Sequence, residues 1–336
     1  MPCTLDTNWQ YKGLQVVRLE NETICVDVLP QLGAKIYNFV HKPSGKNLLW
    51  HNPHVDPAPC AFGSKFDDQW SGGWDELIPN DVPVVFPNGD ILPDHGEVWN
   101  QAAEWQVLAA SDETVAVSFV THGRVLPTRF EKELTLRDGE PFLHVRYSYA
   151  NLGHEPIPFL WNIHPALSVS SATRLDVPAA RGIVDEWNTD LFDAGMEYRW
   201  PYATDRYGGI HDLRVVPDAS QCIADHHYLP DVREGWYAAT DTAKRVGFGM
   251  VFPISVFPHV WLFRTLGGWR GLNTLILEIS AGYGTTDLKQ AQAAGHCGLV
   301  NPGEVIRAEV LAVAYSGLTS VARIDLDGRV HAGEDE

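Results

Sequence analysis

The chain has 336 residues, 45% hydrophobic and 20% charged, which supplies a sizeable core and argues against global disorder. Its formal net charge of -18 is the wrong sign for nucleic acid or an anionic membrane, both of which attract basic surfaces. Five scattered cysteines, no basic-then-apolar leader and no apolar run near the roughly 20 residues of a membrane helix lead to the expectation of a soluble cytoplasmic protein with reduced thiols.

In chain order, strand signals dominate. Ile24, Val26 and Val28 alternate onto one face, as do Val115, Val117 and Phe119. Leu143, Val145, Tyr147 and Tyr149 share a face, with His144, Arg146 and Ser148 on the other, and the pattern returns over residues 304–315. Turns at 87–90, 137–140 and 301–303 punctuate these runs, and many short strands at such spacing predict a sandwich or barrel. Helix is scarce, the best candidate being 286–294, with a threonine cap and Gly295 after it. The loop-rich stretch 182–218, holding Trp187 and Trp200, reads as a long insertion over one end of the sheets, and the tail 332–336 as frayed. With no internal repeat or low-complexity linker, residues 1–336 are expected to form one domain.

The chemistry-bearing positions stand out against this background. Glu278 interrupts the apolar strand 272–280, where an ionised carboxylate is costly to bury and its pKa is pushed up, as suits a general base. A glutamate turned to solvent on an edge strand is disfavoured by its apolar flanks. His164 ends an apolar run before Pro165 and shares a strand face with Asn162; it is either a core histidine bonded to a carbonyl or an acid–base group. His95 lies in a loop between Gly89 and Gly96, beside Asp94 and Glu97, and loops carry chemistry more often than packing.

Residues 70–81 join Trp70 and Trp74, two glycines and several carboxylates including Glu76. Aromatic faces stack on sugar C–H faces and carboxylates accept hydroxyl hydrogen bonds, so Trp74 is assigned to a site while most of the 12 tryptophans fill a core. Asp225, His226 and His227 suggest a metal, but adjacent strand histidines point to opposite faces, and a solvated His227 is the better reading. No zinc-protease, phosphate-loop, dinucleotide or serine-hydrolase motif is present.

The order of motifs then matters: Leu29-Pro30-Gln31-Leu32-Gly33-Ala34-Lys35-Ile36, Gly72-Gly73, His95-Gly96, Phe130 to Leu136, Asn151-Leu152-Gly153, His164-Pro165, Asp225-His226, Leu277-Glu278, Gly282-Tyr283 and Asn301-Pro302-Gly303-Glu304. Together they resemble the galactose mutarotase-like (aldose 1-epimerase) superfamily over most of the chain. The resemblance implies an all-β galactose mutarotase-like β-supersandwich with very little helix and a sugar cleft on one large sheet. Residue by residue, it implies Glu278 as catalytic base, His164 as donor to the ring oxygen, His95 as second site histidine and Asp225 as a residue holding sugar hydroxyls. Where the family carries an arginine-rich loop this chain reads Trp74-Asp75-Glu76-Leu77; Arg124 or Arg129 is left to supply the guanidinium.

The expected reaction is mutarotation. Glu278 takes the anomeric hydroxyl proton and protonated His164 serves the ring oxygen from the opposite side of the pyranose, with no metal or redox cofactor. The expected partner is a free sugar, with neither nucleic acid nor membrane, and the chain is a monomer or homodimer. The alternatives are a hexose-6-phosphate mutarotase, another sugar-acting enzyme on the same fold, or a non-catalytic carbohydrate-binding protein.

Overall fold

The computed structural model describes residues 2–188 and 191–333 and is nearly all strand. Among the described residues the α-helices are Phe66–Gln69 and Leu288–Ala294. The second starts later than its sequence signal, because Asp287, not a threonine, accepts from the Lys289 and Gln290 backbone N–H groups. Gly295 ends it in the left-handed conformation.

Two antiparallel sheets pack face to face. The larger runs Thr4–Tyr11, Leu14–Glu20, Ile24–Leu29, Lys35–His41, Trp74–Leu77, Asn162–Leu167, Asn273–Ser280, His259–Leu266, Ile223–Leu229, Arg181–Asn188 and Glu197–Arg199. The smaller runs Thr173–Asp176, Trp236–Asp241, Val246–Val251, Val305–Ser316, Phe142–Asn151, Thr128–Arg137, Thr114–His122 and Glu104–Ala110. This is the helix-poor all-β sandwich that the alternation and the resemblance imply.

Alternation decides what each face meets. Ile24, Val26, Val28, Leu275, Leu277 and Ile279 of the larger sheet meet Val115, Val117, Phe119, Leu143, Val145 and Tyr147 of the smaller in one buried cluster. Ile276 and Glu278 therefore point the other way, onto the outer face of the larger sheet. There a second aromatic cluster, including Phe66, Trp70 and Trp99, builds a wall over the strands.

The stretch 182–218 is in part sheet: its start and Glu197–Arg199 belong to the larger sheet, and Tyr202–Thr204 pairs with Ile210–Asp212. Arg181–Asn188 is a strand of the larger sheet, with Ile183 opposite Tyr228 and Val184 opposite His227. Residues 189–190 of that stretch, and 334–336 of the tail expected to fray, lie outside the described residues; Val330–Ala332 pairs with Val321–Ile324.

Candidate active site

A cavity of about 240 Å³ opens on the outer face of the larger sheet. Its floor comes from adjacent strands whose alternate residues face outward. Asn273–Ser280 supplies Glu278, Asn162–Leu167 supplies His164, Ile223–Leu229 supplies His226, and His259–Leu266 supplies Trp261 and Phe263. Arg181–Asn188 adds Asp185 and Trp187, both from the stretch between Val184 and Asn188 where its register with Ile223–Leu229 shifts. Loops bring Asp81, Asp94 and His95, and the turn Phe66–Gln69 brings Phe66 and Asp67.

Backbone chemistry fixes the loop. His95 and Gly96 both have positive φ, at 59° and 81°. A Cβ on Gly96 would lie 2.1 Å from the Ile78 carbonyl oxygen, so only glycine fits there. The His95 N–H donates to the Asp81 carbonyl at 2.5 Å. The ring stacks on Phe66, centroids 4.3 Å apart, and Phe66 in turn donates its N–H to the Asp94 carboxylate at 2.8 Å.

Three imidazoles and a carboxyl share this space in different electrical states. Glu278 is 5% exposed, and its Oε1 lies 3.9 Å from His164 Nε2. Burial pushes the Glu278 carboxyl up to about 8, with Asp81 adding to the rise against His226 and His95. Burial, with cationic His95 nearby, drives His164 well below the ordinary imidazole range. His164 is wedged edge-on against Phe66 and Trp70, and its Nδ1 has no hydrogen-bond partner. His95 goes the other way: burial opposes its charge, but Asp81 and Asp94, the latter 3.2 Å away, raise it to about 9. His226 is likewise raised despite burial, because its Nδ1 donates to Asp185 Oδ2 at 2.9 Å. Its Nε2 is buried without a hydrogen-bond partner.

The structure brings Glu278, His164 and His95 together and leaves four other sequence candidates elsewhere. Trp74 and Glu76 alternate onto the inter-sheet face. Trp74 is fully buried against Phe248, and Glu76 accepts from Lys132 Nζ at 2.7 Å and the Tyr147 hydroxyl at 2.8 Å. Asp225 also turns inward, where the Arg264 guanidinium grips it in two hydrogen bonds of 2.8 and 2.7 Å. Arg124 lies over Phe62 and donates to Gln101, away from the cavity, and Arg129 pairs with Glu131. His227 is fully buried beside Tyr198, not solvated. Glu278 and His164 stand side by side, not on opposite sides of a ring.

The inward turn of Asp225 leaves His226 as the cavity residue of its strand, with Asp185 as its partner. Both were missed. The alternation rule applied to Asp225-His226-His227 separates the middle residue from its neighbours, but not which face meets the cavity. Among the described residues, no group of three or more histidines, cysteines or carboxylates is arranged to hold a metal ion.

Residues 5–251 match the family described as a domain of unknown function, DUF5107. The chain belongs to the DUF5107 family. No curated protein matches it in sequence. In three dimensions the DUF5107 chain is similar to a galactose mutarotase-like protein from Clostridium acetobutylicum, at 13% identity and TM-score 0.66, covering 94% of this chain and 99% of that one. A galactose mutarotase-like protein from Lactobacillus casei gives 15% identity and TM-score 0.63, with 89% and 100% covered. A TPR-domain containing protein from Parabacteroides distasonis gives 16% identity and TM-score 0.63, covering 90% of this chain but 47% of that one, so this chain spans about half its length. The chain shares its fold with these galactose mutarotase-like structures. No helix among the described residues is long and apolar enough to cross a membrane.

Proposed function

We propose that this DUF5107 chain interconverts the anomers of a free sugar by acid–base ring opening at Glu278 and His164. The observation that carries this reading is one buried carboxyl and one buried imidazole, 3.9 Å apart, displaced in opposite directions from their ordinary pKa values. The anomeric and ring oxygens of a pyranose are bonded to the same carbon, so neighbouring groups suffice to serve both.

With Glu278 raised to about 8 and His164 lowered, this reading gives the couple one proton at neutral pH and assigns it to Glu278. His164 enters this reading as a neutral imidazole, where the resemblance implied a protonated one, because burial beside His95 disfavours a second imidazolium. In ring opening the Glu278 carboxyl protonates the ring oxygen while neutral His164 takes the anomeric hydroxyl proton. The open aldehyde turns about its C1–C2 bond. Closure on the other face returns one proton to Glu278 and one from His164 to the new hydroxyl. His95, raised to about 9, and His226, raised by its bond to Asp185, hold sugar oxygens and developing negative charge.

None of the described residues lining the cavity is lysine or arginine, and Asp67, Asp81, Asp94 and Asp185 face it, which disfavours the hexose-6-phosphate alternative. The test is NMR exchange spectroscopy of a panel of free aldoses. At least one should exchange anomers faster with protein than in buffer; a panel uniformly unaffected would refute the proposal.

A further inference from the structure

One wall of aromatic rings joins the floor of the cavity to its mouth. From His164 it passes to Trp70 (centroids 5.6 Å apart), Trp269 (6.4 Å) and Trp187 (6.0 Å). It returns through Phe263 (4.9 Å) to His226 (6.3 Å). Exposure rises along it: Trp70 is 3% exposed, Trp269 is partly buried and Trp187 is 40% exposed.

Both outer rings are held in place. Trp187 sits on the strand Arg181–Asn188, lines the same cavity as Asp185, and packs on Phe263. The Arg270 guanidinium lies 4.8 Å over the Trp269 ring and donates to the Asp67 carbonyl at 2.7 Å and the Asp68 carboxylate at 2.8 Å. A fixed, wet indole at the mouth of a pocket is a surface awaiting a ligand.

Glu278 and His164 lie at the buried end of this wall and Trp187 at its exposed end, beyond the rings of Trp70 and Trp269. We infer that the site accepts the reducing end of an uncharged saccharide of two or more units, with the second ring stacked on Trp187 and edged by Trp269, whose plane stands at 81° to it. The inference rests on the sugar-site reading above. The carboxylates of Asp67, Asp81, Asp94 and Asp185 line the cavity, and Arg270 beside Trp269 is already paired with Asp68, so anionic saccharides are turned away.

The test compares anomer exchange of maltose, cellobiose and lactose with that of glucose. At least one disaccharide should show a kcat/KM about tenfold above glucose, and Trp187→Ala should cut that ratio by about tenfold, with Trp187→Phe restoring most of it. A ratio near one in the wild type, or one that Trp187→Ala does not move, overturns the inference.

Calorimetric titration of the same sugars into Glu278→Gln separates this inference from the catalytic reading. Disaccharide binding that Trp187→Ala weakens, with no exchange in the wild type, supports the saccharide site and refutes mutarotation. Exchange of glucose with no preference for any disaccharide refutes the saccharide site and leaves mutarotation standing. Neither binding nor exchange refutes both.

Discussion

Glu278→Gln should change how stability depends on pH, whatever the sugar. The carboxyl ionises near 4.5 in an unfolded chain and near 8 in the fold. One pKa unit corresponds to about 1.4 kcal/mol, so the full span is about 5 kcal/mol. The folded state holds this proton more tightly, so the carboxyl's contribution is fully present below the unfolded pKa. It is lost progressively as pH rises, and the loss is complete above about 8. Glutamine keeps the shape and never ionises. Urea unfolding of both proteins from about pH 4 to about pH 9 should show the variant gaining on the wild type by a few kcal/mol, up to about 5. Parallel curves across that range would refute the claim that burial holds Glu278 protonated.

Removing the partner of a buried ion pair is strongly destabilising, so Lys132→Met should cost about 3–5 kcal/mol in urea unfolding by stranding Glu76 between the sheets. A change under about 1 kcal/mol would contradict that placement. Asp185→Asn should lower the pKa of His226, read from its ring signals in an NMR pH titration; an unchanged midpoint would contradict the clamp. Gly96→Ala, with its Cβ driven against the Ile78 carbonyl, should destabilise by about 1–3 kcal/mol or more, and wild-type stability would refute the packing described for the His95 loop. Sugar exchange should fall as pH rises through about 8, where the Glu278–His164 couple gives up its proton; a rate still climbing there would contradict Glu278 as donor.

The fold was legible because alternation and turn residues are local signals. Val115, Val117, Phe119, Leu143 and Val145 lie on the inter-sheet face where period two puts them. Glu278 could be singled out because a lone carboxylate in an apolar strand stands out against its neighbours. Trp74 and Glu76 were misread because a four-residue strand does not announce which face meets a second sheet. The charge that neutralises Glu76 comes from Lys132, 56 residues further along the chain. His226 was hidden between two polar neighbours. Its partner Asp185 sits 41 residues earlier, in a stretch whose charges and tryptophans read as an insertion. Trp187 belongs to the same case, since it falls in the register shift between Val184 and Asn188 against Ile223–Leu229, which no local pattern reveals.

The central claim is that Glu278 moves a proton on a bound sugar. Its most direct test is anomer exchange measured by NMR at neutral pH with an aldose the wild type accepts, run beside folded Glu278→Gln. The account predicts a loss of roughly 10²–10⁴-fold in the variant. Exchange at the wild-type rate would contradict it.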